Sequence, residues 1–112
     1  MNDTVRVGEN DSGQEIALRI GQILEIRLPE NPTTGFRWRH GSRGEPACVL
    51  DGDSFEPKEG PPGTGGAHRW LFRAERVGVS AIELFYERKW EQERKAARIF
   101  RLRVSVREVL GA

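Results

Sequence analysis

One cysteine, Cys48, is all that this chain of 112 residues contains, so no disulfide can close within it and the core must hold by packing. Long apolar runs are missing as well, none approaching the length of a membrane span. The opening Met1-Asn2-Asp3-Thr4 is polar and does not read as a signal peptide, although a leader removed from an exported or periplasmic protein would leave no trace here. Charge of one sign is lacking: 18 basic residues face 17 acidic ones, a net charge of +1, which argues against a nucleic-acid or other polyanion binder acting through bulk charge. Histidine is scarce, and His40, His68 and the scattered carboxylates show no metal-ligand spacing, so no metal or cofactor is expected. The length suits a single domain over residues 1–112. Asn2-Asp3-Thr4 and Asn10-Asp11-Ser12 fit the glycosylation pattern, which matters only in a eukaryotic secretory setting.

What the chain does have is alternation. Ile16, Leu18 and Ile20 alternate with Ala17 and Arg19; Leu24, Ile26 and Leu28 with Glu25 and Arg27; Trp70, Phe72 and Ala74 with Leu71 and Arg73; Ile82, Leu84 and Tyr86 with Glu83 and Phe85. Phe100, Leu102, Val104 and Val106 are set against Arg101, Arg103, Ser105 and Arg107. Such patterns predict half-buried antiparallel strands, with short additions at Thr4 to Val7 and Cys48 to Leu50. Turn signals separate them at Gly21-Gln22, at Asn31 to Gly35, at Gly41 to Glu45, at Gly60 to Gly66 and at Val77-Gly78. The spacing suits a β-sandwich or a small barrel, and an all-β sandwich of about seven strands is the expectation. Glu87 to Arg98 is rich in helix formers but has no apolar stripe, and reads as a long exposed loop with at most one helical turn. Arg98, Arg101, Arg103 and Arg107 form no nucleic-acid stripe, since Glu25, Glu83 and Glu87 occupy comparable outward positions.

Three loops stand out. Asn31-Pro32-Thr33-Thr34-Gly35-Phe36 is stiff: Pro32 fixes its own φ and pushes Asn31 toward an extended shape, the threonines are restricted at χ1, and Gly35 can take a positive φ. It is either an ordinary turn or a rigid tip that loses little entropy when it enters a cleft. Gly60 to Ala67 lacks the Lys-Ser/Thr of a phosphate-binding loop, having Gly66 and Ala67 there, with strand rather than helix to follow. A floppy surface loop and a bare backbone that a partner can approach both remain open. Arg88-Lys89-Trp90 places an aromatic residue in a charged loop, as a binding hot spot or as a side chain folded back on the sandwich edge. Cys48, in Ala47-Cys48-Val49-Leu50, is read as a buried, inert thiol rather than the partner of an imidazole.

Taken in order, Asn31 to Phe36, Gly63-Thr64-Gly65-Gly66 and Arg88-Lys89-Trp90 resemble the three signature loops of the chagasin-type inhibitors of cysteine peptidases, which carry Asn-Pro-Thr-Thr-Gly-aromatic, Gly-x-Gly-Gly and Arg-Pro-Trp. The resemblance runs from about Ile16 to Val106. It implies an immunoglobulin-like, antiparallel sandwich with the loops at one end, acting as a monomeric, non-enzymatic, reversible plug of papain-like peptidases. Thr33 and Thr34 would then cover the catalytic Cys–His pair, Gly63 to Gly66 the non-primed cleft wall, and Trp90, with Arg88 beside it, the primed side. Lys89 departs from the pattern, replacing the bracing Pro with a cation. The residues alone also suit an immunoglobulin-like adhesion or carbohydrate-binding module.

Overall fold

Among the described residues, eight strands form in the order β1 (Thr4–Val7), β2 (Glu15–Arg19), β3 (Ile23–Glu30), β4 (Phe36–Arg43), β5 (Cys48–Pro57), β6 (Gly66–Ala74), β7 (Gly78–Arg88) and β8 (Arg98–Arg107). The structure, a computed structural model, describes residues 3–88 and 96–108. One four-stranded sheet runs β1-β3-β6-β5 and the other β2-β8-β7-β4. Among the described residues the sandwich has eight strands, close to the seven or so expected, but it is not purely antiparallel, because the edge strands β1 and β2 pair in parallel with β3 and β8. Neither pair is a hairpin: in each, a longer connection carries the chain back to enter in the same direction. Among the described residues, no helix is long and apolar enough to cross a membrane.

The alternation becomes the inner faces. Leu24, Ile26, Leu28, Trp70, Phe72 and Ala74 from one sheet meet Leu18, Ile82, Leu84, Phe100, Leu102, Val104 and Val106 from the other, all buried. Two expected boundaries move. Cys48 to Leu50 is only the start of a ten-residue strand, and Gly41 to Arg43 continues β4 through a register shift after His40 instead of forming a turn. Both segments are strand edges paired on one side, where backbone hydrogen bonding outweighs weak side-chain patterning. Glu87 and Arg88 finish β7; the rest of the expected 87–98 loop lies largely outside the described residues.

On the outer faces the arginines are matched by acids: Arg101 to Glu83 at 2.8 Å, Arg103 to Glu15 at 3.6 Å and Arg98 to Glu9 at 3.5 Å. Glu25, expected to be solvated, is only 5% exposed because Arg6, Arg27 and Arg69 lie over it.

Candidate functional site

Register decides where the loops go. Glu30 pairs with Gly66 at the last rung of β3–β6, and Phe36 pairs with Arg88 at the last rung of β4–β7. The first loop passes from one sheet to the other at this end, beside the second loop and the stem of the third.

The first loop is a single 3-10 turn, Pro32–Thr34, a conformation the sequence reading did not specify. Asn31 is extended (φ −125°, ψ 93°), as a residue before proline must be, and Gly35 closes the turn at φ 83°. The Asn31 side-chain oxygen accepts from the Thr33 N–H at 3.2 Å and from the Thr33 hydroxyl at 2.6 Å. The Thr34 hydroxyl donates to the Asn31 carbonyl at 2.7 Å, and Gly35 N–H donates to Pro32 O at 3.0 Å. Both threonine hydroxyls are committed inward while the residues themselves are exposed. The tip is therefore ordered before any partner arrives, which keeps the entropy cost of docking low.

The second loop is no floppy connector. Thr64 turns back on Pro61 through its N–H at 3.2 Å and its hydroxyl at 2.5 Å, and Lys58 N–H donates to Gly65 O at 2.9 Å. Gly63 and Gly65 hold φ of 89° and 80°, a region a side chain would resist. The two loops are tied directly, since Asn31 Nδ2 donates to Gly63 O at 2.9 Å and a Cβ on Gly65 would come within 3.1 Å of Asn31.

Arg88 joins the group from β7. Its Nε donates to Thr34 O at 3.3 Å, and its guanidinium lies 4.4 Å from the centre of the Phe36 ring. From there an aromatic series runs inward: Phe36 stacks on Tyr86 at 5.3 Å, Tyr86 meets Trp38 at 4.7 Å, and Trp38 stands edge-on to Trp70 at 6.4 Å. The Tyr86 hydroxyl accepts the Asn31 N–H at 3.2 Å. The structure thus brings together Asn31 to Phe36, Gly63 to Gly66 and Arg88. Lys89 and Trp90 lie outside the described residues.

Sequence reasoning missed the polar cluster beneath these loops. Glu30 continues the inward series Leu24-Ile26-Leu28, and His68 stands at the head of Trp70-Phe72-Ala74. Both are buried, at 2% and 8% exposure. His68 Nδ1 meets Glu30 Oε1 at 3.0 Å, and its Nε2 meets Asp53 Oδ1. Glu30 Oε2 accepts the Trp38 N–H at 2.8 Å, Arg37 Nε approaches Glu30 at 3.3 Å, and His40 Nε2 approaches Asp53 at 3.3 Å. Burial alone pushes Glu30 and Asp53 up, but hydrogen bonds from their partners and neighbouring positive charge outweigh it and leave both below the ordinary carboxylate range. The available signal was a polar residue at a core position of a strict alternation.

Among the described residues, no group of three or more His, Cys, Asp or Glu side chains is arranged to hold a metal ion. Cys48 is fully buried, and burial pushes its thiol up to about 11. Native protein is therefore expected to resist iodoacetamide and to be alkylated fully only after unfolding, as read by mass spectrometry. Rapid native alkylation would contradict this burial.

Comparison with known proteins converges on one family. The sequence model of the chagasin family peptidase inhibitor I42 matches residues 17–104. Chagasin of Trypanosoma cruzi is 30% identical over 90 residues, spanning 76% of this chain and 82% of chagasin. The crystal structure of the cysteine protease inhibitor EhICP2 from Entamoeba histolytica superposes with a TM-score of 0.82 at 20% identity, over 93% of this chain and 95% of that one. A structure of PbICP-C in complex with falcipain-2 gives 0.64 at 21% identity, over 95% of this chain and all of that one (100%). At these identities the two structures establish likeness of fold.

Proposed function

The chain belongs to the chagasin family of peptidase inhibitors, and from that premise we propose that it blocks papain-like cysteine peptidases by filling the active-site cleft with three adjacent loops. It is an inhibitor and not an enzyme. The observation that carries the loop assignment is the bonded junction of the first two loops, Asn31 Nδ2 to Gly63 O, with Arg88 held on Thr34 O beside it. Asn31, Pro32, Thr33, Thr34, Gly35 and Phe36 form the central wedge. Gly63, Thr64, Gly65 and Gly66 offer bare backbone on one flank, and Arg88, two residues before Trp90 in the chain, stands on the other.

Such a wedge occupies a cleft without being cut, because a turn this densely self-bonded does not relax into the geometry that a thiolate needs for attack. Three loops on one scaffold suffice for a standard interface of about 1,600 Å² in total. A protein of the same fold, PbICP-C, is solved in complex with falcipain-2, consistent with a peptidase as the partner.

The test is a titration of papain. Wild-type protein should abolish activity stoichiometrically and reversibly. Thr34→Ala should weaken inhibition by about 1–2 kcal/mol, and Trp90→Ala by about 2 kcal/mol, roughly thirtyfold, with both variants keeping the wild-type circular dichroism spectrum. If neither variant shifts the inhibition constant, the loop assignment fails.

A further inference from the structure

We propose that the Glu30–His68–Asp53 chain is a proton-held clamp on the roots of the first and second loops, so that affinity for the peptidase falls when His68 gives up its proton. The inference rests on the inhibitor reading above and adds its regulation.

The geometry dictates the proton count. Both ring nitrogens of His68 face carboxylate oxygens, Nδ1 that of Glu30 at 3.0 Å and Nε2 that of Asp53. With both carboxyls held below their ordinary range and so ionised, each can only accept, and both contacts are hydrogen bonds when the two nitrogens carry hydrogen, that is, when the ring is an imidazolium. Its face is covered by Trp70, stacked at 4.1 Å and 6°. The charged and titratable groups around it among the described residues are Glu30 from β3, Arg37 and His40 from β4, and Asp53 from β5. Tyr86 of β7 reaches the same loop root through Asn31 N–H. With His68 charged, two carboxylates are balanced by Arg37 and the imidazolium. Without its proton, one ring nitrogen is left facing carboxylate lone pairs in a buried site, and one of the two bonds is lost.

Both loop roots depend on those bonds. Glu30 immediately precedes Asn31, and its second oxygen takes the N–H of Trp38 at 2.8 Å, so this one side chain ties the entry of the first loop to its exit. Glu30 is also the backbone partner of Gly66, where the second loop ends. Asp53 holds the other side of His68 from the neighbouring strand β5, which leads into that second loop.

The direction in pH follows. Burial pulls His68 down, but the hydrogen bonds to Glu30 and Asp53 and their charges outweigh it and raise it above the ordinary histidine value. A group raised in the folded state contributes its full stabilisation below its unfolded value, about 6.5, and loses it as pH rises through the raised folded value. Since Glu30 and Asp53 are both lowered, the clamp stays closed well into the acid range. If docking needs the closed clamp, binding raises His68 further, and each unit of that rise weakens inhibition about tenfold across the alkaline transition.

Two measurements decide it. The inhibition constant for papain is followed from about pH 5 to about pH 9 for the wild type and for His68→Gln, which cannot titrate there. The ratio of the two constants cancels the titrations of papain itself. It should shift by about tenfold in step with His68; a flat ratio overturns the proposal. In the free protein, with no peptidase present, NMR should show the amides of Thr33, Gly63 and Gly65 moving with the His68 ring. Loop amides that stay still while the ring titrates, or a neutral ring at about pH 6, overturn it as well. Should the wild type leave papain active at every pH, the inhibitor reading itself fails, and the NMR arm alone judges the clamp. Should His68→Gln not fold, that same arm stands on the wild type.

Discussion

Trp70→Ala is expected to destabilise the fold by about 3–5 kcal/mol. Trp70 is 1% exposed and joins the apolar core to the polar cluster: it stacks on His68 and stands edge-on to both Trp38 and His40, at 6.4 and 6.2 Å. Its removal leaves a cavity between two sheets that β-pairing keeps stiff, so the walls collapse only in part to fill it. For a domain of this size the melting temperature should fall by at least about 12 °C. Val79→Ala, at a position 52% exposed on the same molecule, is the control and should move stability by no more than about 0.5 kcal/mol. A loss below about 1 kcal/mol for Trp70→Ala in urea unfolding would show that the cluster does not depend on this ring.

Glu30→Ala should cost a comparable amount, about 3–5 kcal/mol, because it strands a buried charge rather than merely removing contacts. The Glu30 side chain is wholly buried (0% exposed), and its loss leaves Trp38 N–H without its acceptor, Arg37 without its counter-charge and the buried His68 with Asp53 alone. Glu30→Gln should be milder, since the amide oxygen can still accept from Trp38 N–H. The two variants therefore separate shape from charge. The pH dependence gives an independent check. The Glu30 carboxyl is held below its ordinary range, so its contribution is present above the unfolded value, about 4.3, and is lost as pH falls through the lower folded value. Acid unfolding of the wild type should contain this limb, and acid unfolding of Glu30→Ala should lack it. Superimposable acid limbs would contradict the burial and bonding assigned to Glu30.

Local rules were enough for much of the architecture. Alternation located the inward faces of β3, β6, β7 and β8 because a strand buried on one side must repeat every two residues. The Pro32/Gly35 brace of the first loop was equally readable, since φ restrictions act on single residues: Asn31 is extended and Gly35 left-handed. The second loop was less legible. Glycines permit both a floppy loop and a tight turn, and what selects the turn is the fit of Thr64 onto Pro61 and of Gly65 against Asn31. The edge strand β1 was placed at its observed ends and β2 to within a residue, but their parallel pairing with β3 and β8 depends on contacts between segments distant in the chain.

The amino-acid sequence by itself determined that this is an all-β sandwich with a stiff Asn-Pro-Thr-Thr-Gly tip and an inert thiol, because periodicity, backbone restriction and composition are properties of neighbours in the chain. Only the tertiary structure decided that Asn31 would bond to Gly63 and that Glu30, His40, Asp53 and His68 would share one site. Those residues come from separate segments of the chain, and their charges interact only after folding has brought the strands together and buried Glu30 and His68 away from the water that would otherwise screen them.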